Sequence, residues 1–173
     1  MTFLECTEAQ HGTEILAILN HAIVHSTALY DYQPRPPESM HSWFEAKRKG
    51  AYPVIGAVDE KGVLVGFASY GPFRAWPAYK YTVEHSVYVH HEHRGKGIGR
   101  ELLKQLIARA GQQNYHILVG GIDANNLASM RLHEKLGFTR SGTIRHAGFK
   151  FGRWLDLAFY QLTLATPQEP KDG

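Results

Sequence analysis

Ten residues from Glu92 to Glu101, EHRGKGIGRE, hold three glycines and the basic side chains Arg94, Lys96 and Arg100. Between an extended segment and a helix, such a run makes a phosphate cradle. The first helical turn has unpaired N–H groups and a partial positive charge, and glycines let the backbone approach an anion closely. Two better-known phosphate loops do not fit. GxxxxGK[ST] is absent, and Gly95, Gly97 and Gly99 do not complete GxGxxG, because Arg100 and Leu102 stand where the third glycine belongs. Neither a nucleoside triphosphatase nor a dinucleotide fold is favoured. His90, His91 and His93 invite a metal reading, but adjacent residues on an extended segment point to opposite sides. The sequence HEKLG at 133–137 also lacks the second histidine of HExxH, and there is no cysteine pair, so no metal is expected.

The loop needs a strand before it and a helix after it, and both are legible. Thr82 to Val89 alternates, with Val83, His85, Val87 and Val89 on one face and Glu84, Ser86 and Tyr88 on the other. From Ile98 the apolar set Leu102, Leu103, Leu106, Ile107 and Ala110 follows one helical face, which Gly111 can end. Upstream, residues 2–6 read as a strand and 8–26 as a helix carrying Ile15, Leu16, Ile18, Leu19, Ala22 and Ile23. The proline-bearing run STALYDYQPRPPESM reads as loop, with Ser39 capping a second helix through Lys49. Strands at 53–59 and 63–70 form a hairpin whose turn takes its positive φ from Gly62. Downstream come a strand at 116–122, a helix at 126–136 closed by Gly137, and strands at 138–145 and 154–163. This order is a mixed α/β (α+β) arrangement in one domain over residues 1–164, followed by a loose polar tail at 165–173.

Composition sets the outer limits. A chain of 173 residues with 43% hydrophobic and 20% charged content is an ordinary globule with a packed core. A formal charge of +3 without a basic run gives little support to a nucleic-acid surface. No apolar stretch is long enough to cross a bilayer. The single Cys6 and a start without a signal-like segment set the expectation of a cytoplasmic location.

The pattern RxxGxG at 94–99 resembles the acetyl-CoA loop of the GNAT N-acetyltransferase superfamily, and NNLASMRLHEKLGF at 125–138 resembles its second signature. With TVEHSVYV at 82–89 and KFGRWLDL at 150–157, the chain is similar to the phosphinothricin N-acetyltransferase branch, which includes methionine sulfoximine and methionine sulfone acetyltransferases. The resemblance implies a mostly antiparallel sheet flanked by helices, with two parallel strands splayed at the acyl-CoA site, and a homodimer. It implies acetyl-CoA as donor, its pyrophosphate on Arg94, Gly95, Lys96, Gly97, Ile98, Gly99 and Arg100. Backbone groups of Val87, Tyr88 and Val89 would hold the pantetheine and acetyl group, with Asn126 and Lys135 also on the cofactor. Glu84 matches the branch's general base, acting through water, and His133 stands at the position of the acid that protonates the leaving thiolate. Burial can raise a glutamate from about 4.3 to roughly 6–7, where it is a useful base.

The branch acetylates small amino acids, and a zwitterionic acceptor calls for cations. Arg74 can grip a carboxylate, Lys80 can act as a point charge, and Tyr79, Tyr32, Trp76 and Tyr30 can enclose a side chain. Two other readings remain open at this level. One keeps the donor and changes the acceptor to a peptide or protein amino terminus or a polyamine. The other is an acyl-CoA-binding sensor without turnover, which would have no need of a carboxylate at position 84.

Overall fold

A computed structural model describes residues 1–173. The elements in chain order are β1 (Thr2–Glu5), α1 (Glu8–His25), α2 (Ser39–Lys49), β2 (Val54–Val58), β3 (Leu64–Pro72) and β4 (Thr82–Val89). They continue with α3 (Ile98–Gln112), β5 (Ile117–Asp123), α4 (Leu127–Lys135), β6 (Thr139–Lys150) and β7 (Arg153–Thr163). The strands follow the order β1-β2-β3-β4-β5-β7-β6. Pairing is antiparallel for β1 with β2, β2 with β3, β5 with β7 and β6 with β7. The exception is β4 with β5, which run parallel. A parallel neighbour needs a crossover, and α3 supplies it.

Two interleaved compact units make up the chain: residues 1–71 with 86–106, and residues 72–85 with 107–173. In the first, α1 and α2 lay apolar faces on β2 and β3, around Ile15, Leu19, Met40, Val54, Leu64 and Phe67. Thr7 caps α1 through Oγ1, which accepts from the Gln10 amide at 3.4 Å. The loop after α1 is tied back to it. Asn20 Oδ1 accepts from the Arg35 amide at 2.7 Å and its Nδ2 donates to the Arg35 carbonyl at 3.0 Å. In the second unit, Leu118, Met130, Phe138, Leu155 and Ala158 are buried. The β6–β7 hairpin there is the largest strand pair, and β6 is exposed along nearly its whole length.

Several boundaries differ from the sequence expectation. Glu38, not Ser39, takes the cap position of α2, and it makes no side-chain cap bond. The Ser39 hydroxyl instead donates to the Pro36 carbonyl at 2.6 Å, closing the turn that the prolines begin. Helix α3 runs past Gly111 to Gln112, since a lone glycine inside a helix costs only about 1 kcal/mol. Strand β6 extends to Lys150 because β7 offers partners as far as Arg153. Nor is the tail loose. Tyr81 Oη accepts from the Lys171 amide at 3.1 Å, His116 Nδ1 lies 2.7 Å from the Thr166 carbonyl, and the Thr166 hydroxyl donates to the Tyr115 carbonyl at 2.5 Å. No helix is long and apolar enough to cross a membrane.

Candidate active site

The glycine loop lies in the first unit and has the backbone of an anion cradle. Gly95 and Gly97 take φ of 76° and 79°, in the left-handed region where a side chain is strained. A Cβ at either would meet nothing within 4 Å, so the space above the loop is open. Buried Ile98 anchors the start of α3, and its first helical bond runs from the Glu101 amide to the Gly97 carbonyl at 3.2 Å. The amides of Ile98, Gly99 and Arg100 therefore have no partner within the helix, which leaves three donors at its N-terminus. Arg94 Nε donates to the Val89 carbonyl at 3.3 Å, which holds the guanidinium beside the end of β4. Arg100 and Lys104 share Glu101 Oε1 at 3.1 and 3.2 Å, while Lys96 is exposed.

The histidines ahead of the loop form a stacked group. His21 lies on His91 with ring centroids 4.0 Å apart, and His91 lies 4.3 Å from His90. His90, His91 and Glu92 bring one ligand atom each within 4.8 Å of one another. Yet His90 Nδ1 accepts from the Glu92 amide at 3.3 Å, and His91 and Glu92 are exposed neighbours on one short turn. This is a turn cap without an enclosing shell of ligands.

The second unit holds Glu84. Parallel pairing of β4 with β5 covers Thr82, Val83 and Glu84 only and ends at Glu84↔Val119. Glu84 is half-buried, and burial pushes its carboxyl above the ordinary value while Arg74 pulls it down. A Cβ on Gly121 would stand 3.3 Å from Glu84 Oε1, so the glycine leaves that carboxylate room. Arg74 stacks on Phe73 at 4.4 Å and donates to the Phe73 carbonyl at 3.0 Å. Tyr79 packs edge-on to Phe73 at 5.7 Å, and the Lys80 ammonium lies 5.2 Å over the Tyr81 ring. Arg74, Tyr79, Lys80 and Glu84 thus belong to one unit. Tyr32, 69% exposed, belongs to the other.

Asn126 caps α4: its Oδ1 accepts from the Ser129 amide at 3.1 Å. The residue is exposed and its side-chain amide nitrogen makes no bond within the chain, so capping leaves a donor for a ligand. Lys135, in the last turn of α4, is also exposed.

His133 has a different setting from the one its sequence position implies. It and His85 are both 5% exposed, with their Nε2 atoms 2.9 Å apart. His133 Nδ1 lies 2.7 Å from the Ser129 carbonyl, which can only accept, so Nδ1 carries the proton. His133 Nε2 then accepts from His85 Nε2–H, and His85 Nδ1 becomes a buried acceptor with no partner. Burial lowers both rings, His85 to about 3 with His133 adding to the effect. The acid role expected of His133 needs an outward N–H, and this arrangement has none to offer.

A pH effect follows from the pair. Unfolded, His85 takes a proton near 6.5, whereas in the native pair it stays neutral to about 3. The unfolded state therefore binds the extra proton in that window, and stability falls as pH drops through it. Between pH 7 and pH 5 the native protein is expected to lose roughly 2 kcal/mol more than His85→Gln. Urea unfolding of both proteins at the two pH values measures this; equal losses would mean that His85 is not held neutral.

Sequence reasoning passed over Lys47, Trp43, Arg35 and Ser86, which line a cavity in the first unit. One signal was present. Met40, Trp43, Phe44 and Lys47 recur at helical spacing, which puts a lysine on the inward stripe of α2.

Residues 20–138 match the model of a family described as Acetyltransferase (GNAT) family. The L-methionine sulfoximine/L-methionine sulfone acetyltransferase of Salmonella typhimurium is 46% identical over 87% of each chain. A phosphinothricin N-acetyltransferase of Streptomyces viridochromogenes is 38% identical over 89% of this chain and 83% of its own. Among solved structures, the protein YncA of Salmonella typhimurium, determined with its cofactor acetyl-CoA, superposes with a TM-score of 0.94. It is 43% identical and covers 99% of this chain and 98% of its own.

Proposed function

The chain belongs to the acetyltransferase (GNAT) family, and on that premise we propose that it moves an acetyl group from acetyl-CoA to the α-amino group of a small amino acid. Methionine sulfoximine, methionine sulfone and phosphinothricin, the acceptors named for its relatives, are the leading candidates. The observation that carries this reading is the half-buried Glu84, raised above its ordinary value beside Arg74 where the parallel pairing of β4 ends.

Acetyl-CoA supplies an activated acyl group on a thiol with a diphosphate tail. The positive-φ glycines with open space above them, flanked by Arg94 and Arg100, suit that tail, and backbone groups of Val87 to Val89 with Asn126 suit the arm. Arg74 holds the acceptor's carboxylate. Glu84, through water, takes the proton from the acceptor's ammonium. The freed nitrogen lone pair forms a bond to the acetyl carbon, the carbon–sulfur bond breaks, and the second proton that the nitrogen sheds as the amide forms neutralises the departing thiolate. A raised carboxyl is what a base working near neutrality requires. The same reading makes the protein a cytoplasmic homodimer that pairs through the exposed Phe149, Phe151 and Trp154; a solution mass of one 19.5 kDa chain would exclude the pairing.

Thiol release from acetyl-CoA tests the acceptor class. With methionine sulfoximine, methionine sulfone, phosphinothricin, a polyamine and a short peptide offered in parallel, turnover is expected with the amino acids. Turnover with the peptide or polyamine alone would move the acceptor assignment, and binding without any release would make the chain a sensor.

A further inference from the structure

The first unit contains a cavity of about 140 Å³ whose walls include Lys47, Arg35, Ser86, Trp43, Phe67 and Tyr88. We propose that this cavity receives the far end of the acceptor's side chain and selects a tetrahedral, oxygen-bearing group such as a phosphinate, sulfone or sulfoximine, with Lys47 as the specificity-determining residue. The proposal rests on the amino-acid acetylation reading above and deepens it.

The Lys47 ammonium lacks a countercharge. Lys47 donates to the Tyr70 carbonyl at 2.9 Å and rests 5.2 Å over the Trp43 ring, with no carboxylate in ion-pair range. Its helix neighbours Arg48 and Lys49 turn outward and share Glu45 at 4.0 and 3.0 Å. Lys47 therefore sits on the inward side of a helix whose other basic residues are solvated and paired. Burial pushes its pKa down to about 8, a sign that the chain itself does not satisfy the charge. A half-buried charge without an ion-pair partner is costly, and a ligand oxygen carrying negative or partial negative charge offsets that cost.

The rest of the cavity matches the remainder of such a group. Arg35 is already matched in two-pronged fashion by Asp31, at 2.9 and 3.2 Å, so it shapes the wall without adding a second free charge. Trp43 meets Phe67 edge-on at 6.1 Å, and Phe67 meets Tyr88 at 5.4 Å, which gives an aromatic lining for methyl and methylene carbons. Ser86 places a hydroxyl on the same side of β4 as Tyr88, two residues along the strand from Glu84. In volume the cavity is close to the ~150 Å³ that accepts a benzene-sized guest, which is about right for a tetrahedral centre with its two oxygens and two carbons. A mixed lining of one cation without an ion pair, hydroxyl-bearing residues and apolar and aromatic side chains favours a polarised oxygen group carrying short carbon arms over a plain thioether.

The test compares kcat/KM for phosphinothricin and methionine sulfone with that for methionine, which lacks the oxygens, at saturating acetyl-CoA. Lys47→Met keeps the length of the side chain and removes the charge. It is expected to reduce both preferences over methionine roughly 10- to 100-fold, while Lys47→Arg recovers most of them. Unchanged preferences in Lys47→Met, with thermal melts showing a folded protein, would overturn the subsite. A wild-type protein that binds acetyl-CoA but acetylates no amino acid would instead overturn the functional reading on which it rests, and the subsite with it.

Discussion

Glu84→Gln is expected to lower kcat by about 10²–10⁴-fold while leaving KM for acetyl-CoA close to the wild-type value. Glutamine keeps the shape and hydrogen-bonding capacity of the side chain and loses only the ability to accept the ammonium proton. Three observations converge on this residue. It is the last member of β4 in register with β5, burial raises its carboxyl, and Gly121 leaves space beside Oε1. The pH profile adds a signature that a purely structural glutamate would not give. Because Arg74 pulls the Glu84 carboxyl down, Arg74→Leu should move the rising acidic limb of kcat/KM to higher pH. Steady-state rates across pH 5–9 for the three proteins measure both effects. Near-normal turnover in Glu84→Gln would remove the base assignment.

The second large effect is expected at the loop, with the opposite kinetic signature. Replacing Gly95 and Gly97 together by alanine should raise KM for acetyl-CoA roughly 30- to 700-fold and spare kcat at saturation. Both residues have φ in the left-handed region, where an L side chain costs about 1–2 kcal/mol. Since an added Cβ at either position has open space, collision with the protein does not contribute. The strain is borne when the loop is held in the anion-binding shape, so it appears in donor affinity. A contrasting outcome, lower kcat with unchanged KM, would mean that the loop positions the reacting atoms and does not hold the donor's phosphates. Calorimetry with acetyl-CoA alone gives the affinity without turnover.

These two experiments address features that were legible in the chain. The alternation from Thr82 to Val89 puts Glu84 on the opposite face from the valines, and β4 spans those same residues. The spacing of Arg94, Gly97 and Gly99, followed by a leucine stripe, predicts a strand, a glycine loop and a helix, and the structure has that succession. Such features are local. Each depends on backbone preferences and on side chains within one or two turns of each other, so a sequence pattern suffices to specify them.

Most of what the chain could not announce was set by contacts between distant residues. His85 and His133 are 48 positions apart, and their shared hydrogen bond turns an expected acid into half of a neutral buried pair. Ser39 looks like a cap, yet the turn made by the prolines claims its hydroxyl first. The tail is polar and proline-bearing, but Tyr81, Tyr115 and His116 hold it down. Lys47 lies on the apolar stripe of its helix, above the Trp43 ring of the preceding turn, but only packing against β3 shows that it finds the Tyr70 carbonyl there and no carboxylate. Periodicity and spacing therefore determine the glycine loop, its flanking elements and the placement of Glu84. Tertiary packing decides which titratable groups are satisfied, because desolvation and hydrogen-bond partners depend on what the rest of the fold brings alongside.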